Sequence, residues 1–98
     1  MTVKLSLIVN DISIDTDHFV EGFISHTVSG MIEALKNTGE TKNLNLVIDG
    51  DNVTLNLNGA TVPLTAFANK IIRSTIIGMV STLKGVHDIG RLSLVLNK

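Results

Sequence analysis

The chain has 98 residues, 44% hydrophobic and 17% charged, with a net charge of −1 and no cysteine. That length buries roughly two-thirds of the unfolded surface and reads as a single domain, 1–98, while the lack of cysteine excludes disulfides, thiolate nucleophiles, zinc fingers and iron–sulfur ligation. Three Phe with no Trp or Tyr dictate an aliphatic core and remove the usual platforms for stacking bases or sugars.

Residues 3–9 alternate, with Val3, Leu5, Leu7 and Val9 on one face and Lys4, Ser6 and Ile8 on the other, the mark of a half-buried strand. The run is short and broken by polar side chains, so it does not read as a secretory signal. Residues 10–17 form a polar connector with Ile12 and Ile14 embedded in it. An amphipathic helix is expected over 18–37, burying Val20, Phe23, Ile24, Thr27, Met31 and Leu35 and turning Gly22, Ser25, His26, Ser29, Glu33 and Lys36 outward. Asp17 or Thr16 suits its N-cap and Gly39 its end.

Strands follow at 44–48 and 53–57, joined across Asp49-Gly50-Asp51-Asn52, where Asp-Gly between alternating runs signals a hairpin. Leu46 or Ile48 opposite Val53 keeps the apolar faces together, so both registers stay open. The stretch 61–85 predicts a second helix, with Leu64, Ala68, Ile72, Met79 and Leu83 on one stripe and Ile71, Ile76 and Val80 flanking it. Lys70, Arg73, Ser74, Ser81 and Lys84 occupy the other side, Pro63 suits the first turn and Gly85 the C-terminal cap. Lys70 and Arg73 interrupt the helix mid-length, so no segment is apolar for long enough to span a bilayer. A last strand is expected at 92–96.

The order β-α-β-β-α-β, with one apolar stripe per helix and one apolar face per strand, predicts an α+β two-layer sandwich. Right-handed crossovers and the local hairpin favour a ferredoxin-like arrangement: a four-stranded antiparallel sheet, first and third strands central, with two helices on one face. No internal repeat, linker or low-complexity segment is read from the chain.

The open face of that sheet is expected to carry Lys4, Ser6, Ile8, Asn45, Val47, Thr54, Asn56, Arg91, Ser93 and Val95. Two of these ten are charged and none is aromatic, which fits a covered surface better than a solvated one. The leading expectation is a non-enzymatic interaction module in the cytoplasm, a homodimer or other homo-oligomer that buries Ile8, Val47 and Val95 against a second copy. RNA-binding sheets of this topology place aromatics where this chain has Ser6, Ile8, Thr54 and Asn56, so nucleic acid is not an expected partner, and neither is a membrane.

The alternative expectation is a regulatory domain that senses a small anion or metabolite at Asn58, Gly59, Thr61 and Thr65, where a helix start offers free N–H groups. No catalytic set, metal set or cofactor signature is present. Asp11, Asp15, Asp17 and His18 cluster in the first loop, and Asp49 and Asp51 at the hairpin, but this topology is expected to hold the two groups at opposite ends of the sheet. His18, His26 and His87 lack a marked nucleophile, and His87-Asp88 are sequence neighbours that seldom align as a base and its orienting acid. Charge is uneven: 1–60 sums to −5 and 61–98 to +4, with Glu21 and Glu33 on one helix and Lys70, Arg73 and Lys84 on the other.

Overall fold

A computed structural model describes residues 4–36, 42–83, 86 and 88–97. Val3, Asn37, Gly39, Lys84, Gly85 and His87, to which the sequence assigns strand, helix-end, surface, cap or loop positions, lie outside the described residues. The elements are β1 (Lys4–Val9), β2 (Ile12–Ser13), α1 (His18–Lys36), β3 (Asn43–Asp49), β4 (Asn52–Leu57), β5 (Ala60–Val62), α2 (Ala66–Val80) and β6 (Arg91–Asn97).

The fold is α+β with two helices and an open antiparallel sheet, but the sheet has six strands in the order β2-β1-β6-β3-β4-β5. The expected four-stranded ferredoxin-like layout is corrected on both counts. The central strands are β6 and β3, whereas a ferredoxin-like order would centre β1 and β4. Handedness and a local hairpin allow β4 on either side of β3, and the chain takes the outer side. The extra strands come from tight turns that send the chain straight back. Asn10 and Asp11 have φ of 50° and 66°, and Asn58 and Gly59 have 50° and 85°, the paired positive φ of a type I′ hairpin. The β3–β4 register is settled as Ile48 opposite Val53 and Leu46 opposite Leu55.

The core is aliphatic, as expected. Leu7, Val9, Leu44, Leu46, Ile48, Leu55, Leu57, Leu92, Leu94 and Leu96 line one face of the sheet, and both helices pack on that face. α2 buries Ala68, Ile72, Ile76 and Val80, so the burial stripe runs through Ile76 and Val80, which the periodicity places on its flank. Met79 and Leu83 sit at its half-buried rim. Residues 61–65 are not helical: Thr61 and Val62 belong to β5, and Thr65 is the N-cap, accepting from the Ala68 N–H.

α1 departs further. Its buried arc is Ile24, Val28 and Ile32 with Ser25 and Ser29, while Phe23 is 54% exposed. Serine is small enough to pass under a helix, and Ser25 Oγ donates to the Glu21 carbonyl at 2.6 Å, so its polar atom needs no water.

The chain also proves to be two copies of one unit offset by 48 residues without a gap, which corrects the expectation of no repeat. Strand β1 maps onto β4, β2 onto β5, α1 onto α2 and β3 onto β6. Under that mapping the strand order reads the same in reverse, so a pseudo-two-fold axis runs through the sheet between β3 and β6. Hydrogen bonds obey it too. The Asn10 side-chain oxygen accepts from the N–H groups of Gly90 and Arg91, and that of Asn58 from Lys42 and Asn43. Asp17 accepts from the Val20 N–H as Thr65 does from Ala68. The units interlock, because β6 of the second lies between β1 and β3 of the first.

Candidate functional site

Neighbouring strands 4.7–4.9 Å apart place directly opposed residues on one face. The register therefore assembles the open face as two cross-strand rows. One runs Thr61, Asn56, Asn45, Val95, Ser6, and the next Thr54, Val47, Ser93, Ile8, Ser13. No residue in either row is charged. Lys4 lies beyond the first row and Arg91 beyond the second, opposite Asp49. All ten residues assigned to this face by alternation lie on it. Val47, Ser93, Val95 and Asn56 are half-buried, and Ile8 is 38% exposed.

Val47 and Val95 are counterparts in the repeat and flank the axis. Two hollows lie on this face at equivalent places. The larger, about 540 Å³, is lined by Asn43, Asn45, Asn56, Gly59, Val95 and Asn97 with Leu44. The smaller, about 180 Å³, is lined by Ile8, Asp11, Arg91 and Ser93. Within the larger, Thr61 Oγ1 donates to Asn56 Oδ1 at 2.8 Å.

The four residues singled out for an anion are spread apart. Asn58 directs its oxygen to the start of β3, Gly59 completes the β4–β5 turn, Thr61 stands on the open face, and Thr65 caps α2 in the helical layer. The two aspartate-bearing turns, expected at opposite ends, lie at the same end. Gly90 joins them, its N–H donating to Asn10 and its carbonyl accepting from Gly50 N–H. The reason is that β1 and β3 run parallel across α1, so both end on the same side. Among the described residues no group of three or more His, Asp or Glu side chains is placed to hold a metal ion, and no helix is long and apolar enough to cross a membrane. His18 and His26 are exposed on α1. Arg73 of α2 is tied to the β3–β4 turn, donating to the Gly50 carbonyl at 2.7 Å.

A surface the periodicity overlooked lies on the helical layer. All three phenylalanines are exposed there, Phe19 at 75%, Phe23 at 54% and Phe67 at 66%. Phe19 and Phe23 stand with ring centroids 6.1 Å apart. Beside them a groove of about 180 Å³ runs between the helices, lined by Phe19, Val20, Phe23 and Ile24 of α1, Met79 of α2, and Thr82 and Leu83 past the end of α2. The repeat was the signal that could have found it: Phe19 and Phe67 are 48 residues apart. Comparison with protein-family models, curated proteins and solved structures returns no match for this chain.

Proposed function

We propose that the protein is a non-enzymatic interaction module that self-associates by packing the open face of its sheet against that of a second copy. The observation that carries this reading is the pair of five-residue rows without a charge, centred on half-buried Val47 and Val95. Four strands of six or seven residues and two of two or three, about 4.8 Å apart, present a face of roughly 500 Å² per copy. Two such faces bury about 1,000 Å² in all, the lower bound for a specific interface. The amides of Asn45 and Asn56 supply donors and acceptors that a facing copy can satisfy. Val47→Lys or Ile8→Glu places a charge in the middle of that contact and is expected to give a folded species of lower mass in size-exclusion chromatography with light scattering. Variants that keep the parent mass sink the proposal.

A second reading, a small polar ligand held on the same face, is favoured by the larger hollow, where the amides of Asn43, Asn45, Asn56 and Asn97 gather beside Gly59. Amides offer both donors and acceptors, which suits a neutral polar metabolite better than a bare anion. A ligand that binds only the folded state raises the melting temperature. A thermal-shift screen in which no polar metabolite moves it removes this reading.

A further inference from the structure

We propose that the outer surface of the helical layer is a second self-association surface, on which two copies pack helix seam against helix seam. The inference is independent of the sheet face and rests on what the two halves of the chain share. In the core the halves keep Leu7/Leu55, Ile24/Ile72, Leu44/Leu92 and Leu46/Leu94 and exchange the other buried aliphatics: Val9 for Leu57, Val28 for Ile76, Ile32 for Val80 and Ile48 for Leu96. Burial asks only for a hydrophobic group of about the right size, so such drift is expected. At other helix positions they differ in kind, with half-buried Gly22 against Lys70, and exposed His26, on the same stripe as Phe19 and Gly30, against Ser74.

Along the seam, where burial sets no such demand, the halves match at least as closely. Phe19 and Phe67, Thr27 and Thr75, Gly30 and Gly78, and Met31 and Met79 are identical pairs, and Phe23 matches Ile71 in being apolar and exposed. Met31 and Met79 pack against the rim of the core, but packing within one chain does not explain the exposed Phe19, Phe67, Gly30 and Gly78. A phenylalanine more than half exposed contributes little to the core. A glycine inside a helix costs about 1 kcal/mol relative to alanine. A Cβ added at Gly30 or Gly78 would meet no atom within 4 Å, so nothing in the chain itself requires glycine there. Glycine on an exposed helix face does let a neighbouring helix approach closely. Exposed rings beside it, with the groove they border, supply the apolar area such a neighbour would cover.

The symmetry identifies the occupant. Both ends of the seam carry the same groups, so a partner without two-fold symmetry engages one end and leaves the other in water. A second copy of this chain engages both. Two helices of 15 and 19 residues, each about 10 Å wide, present roughly 500 Å². Pairing two such layers buries about 1,000 Å², again the lower bound for specific association. Both broad faces of the slab, whose Cα extents are 34 × 33 × 18 Å, then bind copies, so chains join alternately through sheets and helices into a stack.

The test measures mass against concentration by light scattering for four full-length proteins: the parent, Val47→Lys, Phe19→Ser/Phe67→Ser, and the three substitutions together. The phenylalanines are exposed, so their loss leaves the fold intact. The expected result is a parent larger than a dimer, a dimer for Val47→Lys, and a monomer for the triple variant. A monomeric Val47→Lys protein overturns the helical seam and leaves the sheet reading standing. A triple variant with the same mass as Val47→Lys overturns it equally. Gly30→Ala/Gly78→Ala in the Val47→Lys background gives an independent check: helix propensity raises the stability of each chain, yet association weakens at least tenfold. Unchanged association in that variant counts against the proposal.

Discussion

Leu46 on β3 pairs directly with Leu94 on β6, and Leu94 is also its counterpart 48 residues along the chain. A residue that pairs with its own counterpart must sit on the axis relating the two halves. Both side chains are fully buried, so the symmetry element of the fold coincides with the centre of its core. Leu46→Ala and Leu94→Ala are each expected to cost about 3–4 kcal/mol, because neither cavity has a free edge into which neighbours can collapse. Urea denaturation of the two single variants and the double variant measures this. The two costs should be closely matched and fail to add, since the side chains are direct neighbours.

The same symmetry makes a sharper prediction at the turns. Asn10 and Asn58 each hold φ at 50° and each accept two backbone N–H groups. Replacement by alanine forces an L side chain into the left-handed region and removes the acceptor, at a combined cost of about 2 kcal/mol. Glycine relieves the backbone and loses only the amide, so Asn10→Gly and Asn58→Gly should recover about half of that loss. Thermal denaturation of the four variants should rank them in two matched pairs, and an alanine variant as stable as its glycine counterpart would show that the backbone conformation carries no cost.

Ser29, like Ser25 opposite Arg73 in the alignment of the halves, is a buried position where the two halves disagree in kind. Its hydroxyl is buried and has no hydrogen-bond partner among the described residues, while the equivalent position holds Ile77. An unpaired buried polar group costs about 1–3 kcal/mol, and alanine is the better helix former. Ser29→Ala is therefore expected to raise the melting temperature by several degrees. A fall on scanning calorimetry would mean that the hydroxyl is satisfied.

Asn69 does for β4 what a neighbouring strand would do. Its side chain accepts from the Val53 N–H and donates to the Asp51 carbonyl, both at 2.9 Å, beyond the reach of the short β5. Asn69→Ala should cost about 1–2 kcal/mol and speed amide hydrogen exchange at Val53 more than at Leu55, a difference readable by NMR. Arg73 lies 3.8 Å from Asp51, whose side chain is fully exposed. That pair is screened by solvent, so added salt is not expected to move the unfolding midpoint.

Alternation with period two was enough to place the ten open-face residues of β1, β3, β4 and β6, from Lys4 to Val95, because the leucine-rich buried face differs from the mixed open one, but it missed Ser13 and Thr61 on the short edge strands. Helix periodicity was less decisive in α1. Phe23 looks like core and Ser25 like surface, yet the burial arc passes over the serines, since a short hydroxyl can bond to its own backbone. Strands β2 and β5 were too short to show a pattern, although Asn58-Gly59 carries the turn chemistry that announces a hairpin. The repeat was hidden because Val9 against Leu57, or Ile48 against Leu96, is the same residue to a core and a different one to the eye. Strand order was not legible at all: two topologies satisfy the same handedness and the same hairpin.

The insertion of β6 between β1 and β3 has a consequence during synthesis. As the chain leaves the ribosome, β1 has only the short β2 beside it and β3 only β4, and neither has its central neighbour until residues 91–97 arrive. The two central ladders cannot form before then, and the facing edges of β1 and β3 are open to other nascent chains in the interval. The strand that comes last of the six in chain order thus lies at the heart of the sheet, so closure of the fold waits on residues 91–97.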